Sequence, residues 1–113
     1  MKIGYARVST QDQSTALQLD ALRAAGCERI FEDTASGANT DRPGLADALA
    51  FARPGDVLVI WRLDRLGRDK DAVGILAKKL DALGVSLVCL AEGIDTKTPA
   101  GVAKLAVILK GRM

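Results

Sequence analysis

The sequence predicts an α/β fold in which a mostly parallel sheet of four to five strands lies between layers of helices. Short apolar runs alternate along the chain with longer stretches that place an apolar residue at every third or fourth position. The first pattern is typical of buried strands and the second of amphipathic helices. Because a helix separates most successive strands, we expect parallel strands with helices on both faces of the sheet. A length of 113 residues fits one domain.

Four strands are predicted from apolar runs that turn residues separate. They cover residues 3–8, 28–33, 57–61 and 85–90. The third run is continuously apolar, as in a parallel strand that is buried on both faces. It follows a turn with Pro54 and Gly55 at its centre.

Four helices are predicted from apolar spacing together with start and stop residues. They cover residues 14–25, 41–52, 69–83 and 98–109. Asp41 is expected to cap the second helix, and Thr98 with Pro99 to open the last. Gly26 and Gly84 are expected to end the first and third. Residues 34–40 are small and polar, which predicts a mobile loop.

Residue usage excludes several classes of chemistry. The chain has no histidine, so catalysis by a Ser-His-Asp or Cys-His set cannot operate within it. Its two cysteines lie far apart and cannot form a zinc site, and we expect both to be reduced. Neither a P-loop nor a dinucleotide-binding glycine pattern occurs. The formal net charge is only +2, which alone does not indicate a nucleic-acid partner.

The hydropathy pattern predicts a soluble, cytoplasmic protein without a membrane partner. The longest unbroken apolar runs have five residues, far fewer than a membrane-spanning helix needs. The first residues also lack the long apolar stretch of a secretory signal.

Candidate functional residues follow the carboxyl ends of three predicted strands, where parallel sheets usually carry their sites. These segments are residues 7–10, 33–42 and 62–68, and each contributes at least one arginine. The first also contributes Ser9, a candidate hydroxyl nucleophile. The guanidinium groups of arginine bind phosphate and stabilise the extra negative charge in the transition state of phosphoryl transfer. Their positive charge also lowers the pKa of a nearby serine hydroxyl and so favours the serine alkoxide. The implied reaction is phosphoryl transfer through a serine ester, without histidine or metal.

Two other interpretations compete with this one. In the first, the chain is a non-catalytic doubly wound α/β interaction module, in which Ser9 caps a helix and the arginines serve solubility. In the second, it is a metal-dependent nuclease that holds a hard cation between Asp33, Asp64 and Asp95.

Three motifs resemble the catalytic domain of the serine recombinases, the resolvase/invertase family. They are YARVST at residues 5–10, DRPGL at 41–45 and LDRLGRD at 63–69. Residues 93–96 also suit the resolvase pattern, and the similarity extends from residue 1 to about 109. The resemblance implies a three-layer α/β/α resolvase-like domain that requires no cofactor and no metal.

The resemblance also implies a role for each matching residue. Ser9 matches the nucleophile that attacks DNA, forms a 5′-phosphoserine link and leaves a free 3′-hydroxyl. The arginines expected in the active site are Arg7, Arg42, Arg65 and Arg68. Asp64 matches a catalytic carboxylate that orients an arginine or assists proton transfer. The supporting polar positions are Gln18, Ser36 and Asp33. The general acid and base stay open between Asp64, a water molecule and an arginine, with Arg65 favoured to assist the leaving oxygen.

The expected partner is DNA, with a homodimer or tetramer in the complete protein and no small-molecule substrate. In a bacterium, such a protein is expected to associate with the nucleoid. We expect residues 1–100 to form the catalytic domain and residues 101–113 to begin an interface helix that ends early. No helix-turn-helix unit is expected in the sequence, so the fragment is expected to be inactive alone.

Overall fold

A computed structural model describes residues 1–9, 15–35, 43–63, 66 and 70–110 of the chain. The strands in this part are β1 (Lys2–Ser9), β2 (Arg29–Ala35), β3 (Val57–Ile60), β4 (Ser86–Cys89) and β5 (Ile94–Asp95). The helices are α1 (Thr15–Ala24), α2 (Pro43–Phe51), α3 (Lys70–Leu83) and α4 (Pro99–Lys110). None of these helices is both long and apolar enough to cross a membrane.

The five strands form one sheet in the order β2-β1-β3-β4-β5. The first four are parallel, and β5 runs antiparallel to β4 at the edge. The mostly parallel sheet is therefore confirmed. No strand was predicted at β5 itself, because two residues are too few to show a periodic pattern.

Alternate side chains of each central strand enter two apolar cores, one on each face of the sheet. In β1, Ile3 and Tyr5 join the core that α2, α3 and α4 cover, whereas Ala6 joins the core around Leu22 of α1. All four of these side chains are fully buried. The three-layer α/β/α arrangement is thus confirmed, with one helix on one face and three on the other.

The described elements follow the predicted ones, and their bounds agree to within one or two residues. β2 continues to Ala35, into a segment expected to be a loop, because β1 continues to Ser9 and keeps pairing with it. Backbone pairing needs no apolar side chain, so the polar sequence did not reveal the extension. β3 ends at Ile60, one residue earlier than predicted. Residues 36–40 of the expected mobile loop lie outside the described residues.

Two glycines allow helices to approach the sheet edges closely. A Cβ at Gly44 in α2 would overlap the carbonyl oxygen of Glu32 in β2, and a Cβ at Gly101 in α4 would overlap that of Asp95 in β5. The first contact holds α2 against one edge of the sheet, and the second holds α4 against the other.

Candidate active site

β1 and β2 extend together beyond the rest of the sheet. β1 pairs with β2 from Ile3 to Ser9, whereas its described pairing with β3 covers Lys2 to Tyr5. Residues 6–9 and 32–35 therefore form a projecting pair of strands, which we call the β1–β2 ribbon. At a rise of about 3.3 Å per residue, the backbone of Ser9 lies roughly 13 Å beyond the level of Tyr5.

The sheet order creates a crevice between β1 and β3. The chain leaves β1 towards β2 on one side and leaves β3 towards β4 on the other, so the two connections diverge. Such a switch point is where parallel sheets commonly bind ligands. Because β1 and β3 are parallel, Arg7 and Ser9 lie at the carboxyl end of β1, on the same side of the sheet where the chain leaves β3 at Trp61 and Arg62.

Gln18 of α1 supports the ribbon from one face. It is fully buried, and its Nε2 donates a 3.1 Å hydrogen bond to the carbonyl oxygen of Arg7. Within the described residues, its Oε1 is buried without a hydrogen-bond partner. Leaving a buried acceptor unsatisfied costs about 1–3 kcal/mol. Gln18 therefore offers an acceptor beside the ribbon to a donor that enters the site.

Asp33 links the ribbon to the start of α2. Its Oδ1 accepts a 2.6 Å bond from the backbone N–H of Gly44, and its Oδ2 accepts a 2.9 Å bond from that of Leu45. These N–H groups are the ones that a capping side chain normally satisfies. Asp41, the predicted cap, lies outside the described residues, and this cap from β2 was not predicted. Asp33 thereby joins β2 to the start of α2.

Two backbone contacts guide the chain as it leaves β3. The N–H of Leu90 donates to the carbonyl of Ile60 at 3.0 Å, and that of Ala91 donates to the carbonyl of Trp61 at 2.8 Å. Arg62 follows with an exposed side chain, and its guanidinium carbon lies 5.5 Å from the centre of the Trp61 ring. The path beyond β3 is thus set by the chain that follows β4.

Glu92 makes the next contact. Both of its carboxylate oxygens lie 3.3 Å from the backbone nitrogen of Leu63, which donates to them. The N–H of Leu66 in turn donates to the carbonyl of Leu63 at 2.9 Å, and both leucine side chains are buried. Glu92 was not among the predicted site residues. Its contact joins residues 29 apart, and no local sequence pattern indicates it.

Neither cysteine is suited to act as a nucleophile at neutral pH. Burial, reinforced by the nearby Glu92 carboxylate, raises the pKa of the Cys89 thiol to about 12. Burial also raises the pKa of Cys27, against the smaller opposing effect of Lys2. Since the thiolate is the reactive form, both thiols are poor candidates for a nucleophile.

The proposed metal-nuclease site is wrong as stated. Asp33 lies on β2 and Asp95 on β5, at opposite edges of the sheet. Four strand spacings separate them by about 19 Å, whereas cation ligands lie within about 2.6 Å of the ion. Within the described residues, no group of three or more histidine, cysteine or acidic residues could hold a metal ion.

Comparison with known proteins shows the family. A family model described as the N-terminal domain of resolvases matches residues 2–110. The chain belongs to the resolvase family. The family predicted from the three motifs is therefore confirmed. The match covers residues 2–110, of which those motifs are only a small part.

Relatives in the resolvase family include phage recombinases. The chain is 52% identical over 101 residues to a DNA-invertase of Enterobacteria phage P7, covering 89% of this chain and 54% of the relative. It is also 52% identical over 101 residues to the serine recombinase gin of Escherichia phage Mu, covering 89% of this chain and 52% of the relative. The chain thus spans about half the length of these relatives.

Solved structures of other recombination proteins share the fold. The N-terminal catalytic domain of TP901-1 integrase superposes with a TM-score of 0.74 at 28% sequence identity. The alignment covers 97% of this chain and 92% of that one. A resolvase-family recombinase from Streptococcus pneumoniae has the same fold, with a TM-score of 0.74 at 21% identity over 97% of this chain and 86% of the other.

The described part of the chain contains four of the predicted site residues. Arg7 and Ser9 lie on the ribbon, Gln18 contacts the backbone of the ribbon, and Asp33 contacts the start of α2. The others lie outside the described residues: Ser36, Arg42, Asp64, Arg65 and Arg68. The roles of all nine stay predictions.

Proposed function

We propose that this chain is the catalytic domain of a site-specific DNA recombinase that cuts and rejoins DNA through a phosphoserine at Ser9. The observation that carries the proposal is the position of Ser9, on a projecting ribbon beside the crevice between β1 and β3. Two relatives that share half of the sequence are named as a DNA-invertase and a serine recombinase, which favours the same reaction.

The proposed reaction exchanges one phosphate ester for another. The Ser9 hydroxyl oxygen attacks the phosphorus of the scissile phosphodiester and loses its proton. The bond from phosphorus to the 3′ oxygen breaks, and that oxygen leaves as a 3′-hydroxyl after taking up a proton. The product is a 5′-phosphoserine ester. Attack by a 3′-hydroxyl from another strand reverses these steps and rejoins the DNA. Each step exchanges one phosphate ester for another, so no cofactor is needed to supply energy.

Arginine supplies the electrostatic part of the mechanism. Arg7 on the ribbon, with Arg65 and Arg68 from the segment after β3, is proposed to bind the scissile phosphate, and Arg42 joins them from the segment before α2. Their fixed positive charges stabilise the extra negative charge of the transition state and lower the pKa of the serine hydroxyl. Asp64 is proposed to orient one of these arginines, and Arg65 to assist the leaving oxygen.

The supporting residues are proposed to shape the site rather than to react. Gln18 holds the carbonyl of Arg7 and keeps an acceptor available beside it. Asp33 fixes the start of α2 and so limits where the segment with Ser36 and Arg42 begins and ends.

DNA and further copies of the chain are the proposed partners. Recombination joins two DNA sites, which requires at least two active sites and favours a dimer or tetramer of the complete protein. The surface of α4 supports this proposal, because Val102 and Val107 are 52% and 68% exposed and present apolar area to a partner. A bacterial recombinase works on the nucleoid, so the proposal includes that location.

The decisive experiment traps the covalent intermediate. Residues 1–110 are joined to the remaining carboxyl-terminal part of the phage Mu recombinase and incubated with a DNA site of that enzyme. In this DNA, sulfur replaces the 3′ oxygen at the scissile phosphate. A thiolate leaves without being protonated and rejoins poorly, so the intermediate should accumulate.

The expected product is a protein–DNA adduct that survives denaturation, with the phosphate mapped to Ser9 by mass spectrometry. Ser9→Ala should give none. Ser86→Ala is the matched control, because Ser86 begins β4 at the opposite end of the strands, and this variant should react like the parent. An adduct on another residue would remove Ser9 from the role. A folded, DNA-binding protein that forms no adduct would favour the non-catalytic module.

A further inference from the structure

The carboxylate of Glu92 crosses from the turn after β4 to the backbone of the segment that follows β3. Its two oxygens lie 3.3 Å from the nitrogen of Leu63, immediately before Asp64 and Arg65 in the sequence. We propose that Glu92 is a positioning residue, which fixes the start of the arginine segment (residues 62–68) relative to the ribbon. This inference rests on the proposed function, because it assigns a task within the same site.

A tight turn holds Glu92 in place. The N–H of Gly93 donates to the carbonyl of Leu90 at 3.3 Å, and Gly93 has a φ of +67°, a conformation that favours glycine. On the far side of the turn, Ile94 pairs with Cys89 across the antiparallel β4–β5 ladder. Glu92 therefore lies in the turn of a hairpin whose two strands are hydrogen-bonded to each other, and this hairpin holds the backbone of Glu92 in place.

The receiving end is anchored as well. Leu63 and Leu66 are 7% and 0% exposed, and the N–H of Leu66 donates a hydrogen bond to the carbonyl of Leu63. Only two residues, Asp64 and Arg65, separate these anchors in the sequence. Leu63 is covalently joined to Asp64, so a shift of Leu63 would change the point from which the chain continues into these two residues. Misplacement by about 1 Å can cost on the order of 10²-fold in rate, so this attachment has a direct bearing on catalysis.

The contact requires a hydrogen-bond acceptor at position 92 but not a negative charge, so substitutions can distinguish a positioning role from a purely electrostatic one. Glu92→Gln keeps an amide carbonyl oxygen that can accept from the Leu63 N–H and removes the negative charge. Glu92→Ala removes both the acceptor and the charge. If Glu92 positions the segment, glutamine should restore what alanine loses. Glu28→Ala is the matched control, because Glu28 is exposed and directly precedes β2 at the other end of the strands.

Amide hydrogen exchange on the full chain tests the attachment itself. In Glu92→Ala, exchange at Leu63 and Leu66 should be faster by about tenfold or more, the loss of roughly one hydrogen bond. Exchange through β3 should be unchanged, and Glu92→Gln and Glu28→Ala should stay within about threefold of the parent. Unchanged exchange at Leu63 and Leu66 in Glu92→Ala would overturn the proposal.

The sulfur-substituted DNA assay tests the consequence for catalysis, in the same fusion with the phage Mu recombinase. Adduct formation by Glu92→Ala should be on the order of 10- to 100-fold slower, with DNA affinity unchanged and with recovery in Glu92→Gln. Equal rates in Glu92→Ala and the parent would overturn the role of Glu92 and leave the proposed function standing. No adduct from any of the proteins, the parent included, would instead overturn the proposed function and with it any catalytic task of Glu92.

Discussion

The Tyr5 hydroxyl donates a 2.7 Å hydrogen bond to Oδ2 of Asp33, at the point where the β1–β2 ribbon leaves the sheet. Tyr5 belongs to the part of β1 that pairs on both sides, whereas Asp33 belongs to the ribbon. Both side chains are buried. Since Asp33 also caps α2, one carboxylate joins the sheet, the ribbon and the helix.

Removal of the Tyr5 hydroxyl should weaken the fold measurably. Tyr5→Phe keeps the ring in the core but removes a hydrogen bond to a charged group, so the free energy of unfolding should fall by about 1.5–3 kcal/mol. Urea denaturation measures this change. The control is Asp20→Asn, which removes an exposed 3.6 Å ion pair with Arg23 and should change stability by less than about 0.5 kcal/mol. Equal effects of the two changes would contradict the bracing role of Tyr5.

Alanine should have opposite effects at two helical glycines. Gly101→Ala places a methyl group against the carbonyl of Asp95 and should destabilise the chain by about 1–3 kcal/mol, despite the higher helix propensity of alanine. Gly74→Ala in α3 meets only Leu109, at 4.0 Å, and should stabilise by up to about 1 kcal/mol. Thermal unfolding compares them. A neutral Gly101→Ala would mean that α4 can move away from β5 without cost.

Arginines of the segment after β3 should matter for rate and not for folding. In the fusion protein, Arg65→Ala and Arg68→Ala should each slow adduct formation by about 10²-fold or more, because each removes a fixed positive charge from the transition state. Arg23→Ala removes an exposed arginine from α1 and should have no effect beyond weaker nonspecific DNA binding. Rates for Arg65→Ala or Arg68→Ala that match Arg23→Ala would exclude these arginines from the site.

Adduct formation should not depend on divalent cations. Arginine provides the positive charge in the proposed mechanism, so an excess of a chelator such as EDTA should leave the rate within about twofold. The measurement is made at constant ionic strength, because salt alone weakens DNA binding. Strong inhibition that added Mg²⁺ reverses would restore a metal-dependent mechanism through carboxylates other than the pair at opposite edges of the sheet.

Alkaline pH should destabilise the fold through Cys89. The folded pKa of this thiol is raised to about 12 from an ordinary value of 9.0. Below pH 9 the thiol is protonated in both states and its contribution to stability is complete. Above pH 9 the unfolded chain loses the proton first, so stability should fall by roughly 1 kcal/mol per pH unit until about pH 12. Urea denaturation between pH 8 and 10.5 should show a smaller slope for Cys89→Ala, and equal slopes would contradict the shift.

The sequence predicted the architecture well because the relevant signals are local. Strand β3 is continuously apolar, and Thr98 with Pro99 marks the start of α4, where the Thr98 hydroxyl oxygen accepts a bond from the N–H of Gly101 at 2.9 Å. The extension of β2 to Ala35 was missed because it depends on a neighbouring strand and not on its own side chains.

Long-range contacts account for what could not be predicted at the site. The motifs located Arg7 and Ser9, whose place at a strand end follows from local periodicity. The bonds from Asp33 to α2 and from Glu92 to Leu63 join segments that are distant in the sequence. Acidic residues are common on surfaces, so nothing in the local sequence distinguishes Glu92 from an exposed residue such as Glu28.

The shape of the ribbon makes the position of Ser9, the proposed nucleophile, sensitive to small changes at the base of the ribbon. The backbone at Ser9 lies roughly 13 Å beyond the last level at which β1 is held from both sides, so a tilt of about 10° at Tyr5 would carry it about 2 Å sideways. That distance is enough to separate an aligned attack from a misaligned one. The Tyr5–Asp33 hydrogen bond crosses the point at which the ribbon leaves the sheet. Such a tilt would strain the bonds that the ribbon makes with Gln18 of α1 and with the start of α2, so these contacts help to hold the proposed nucleophile in one position.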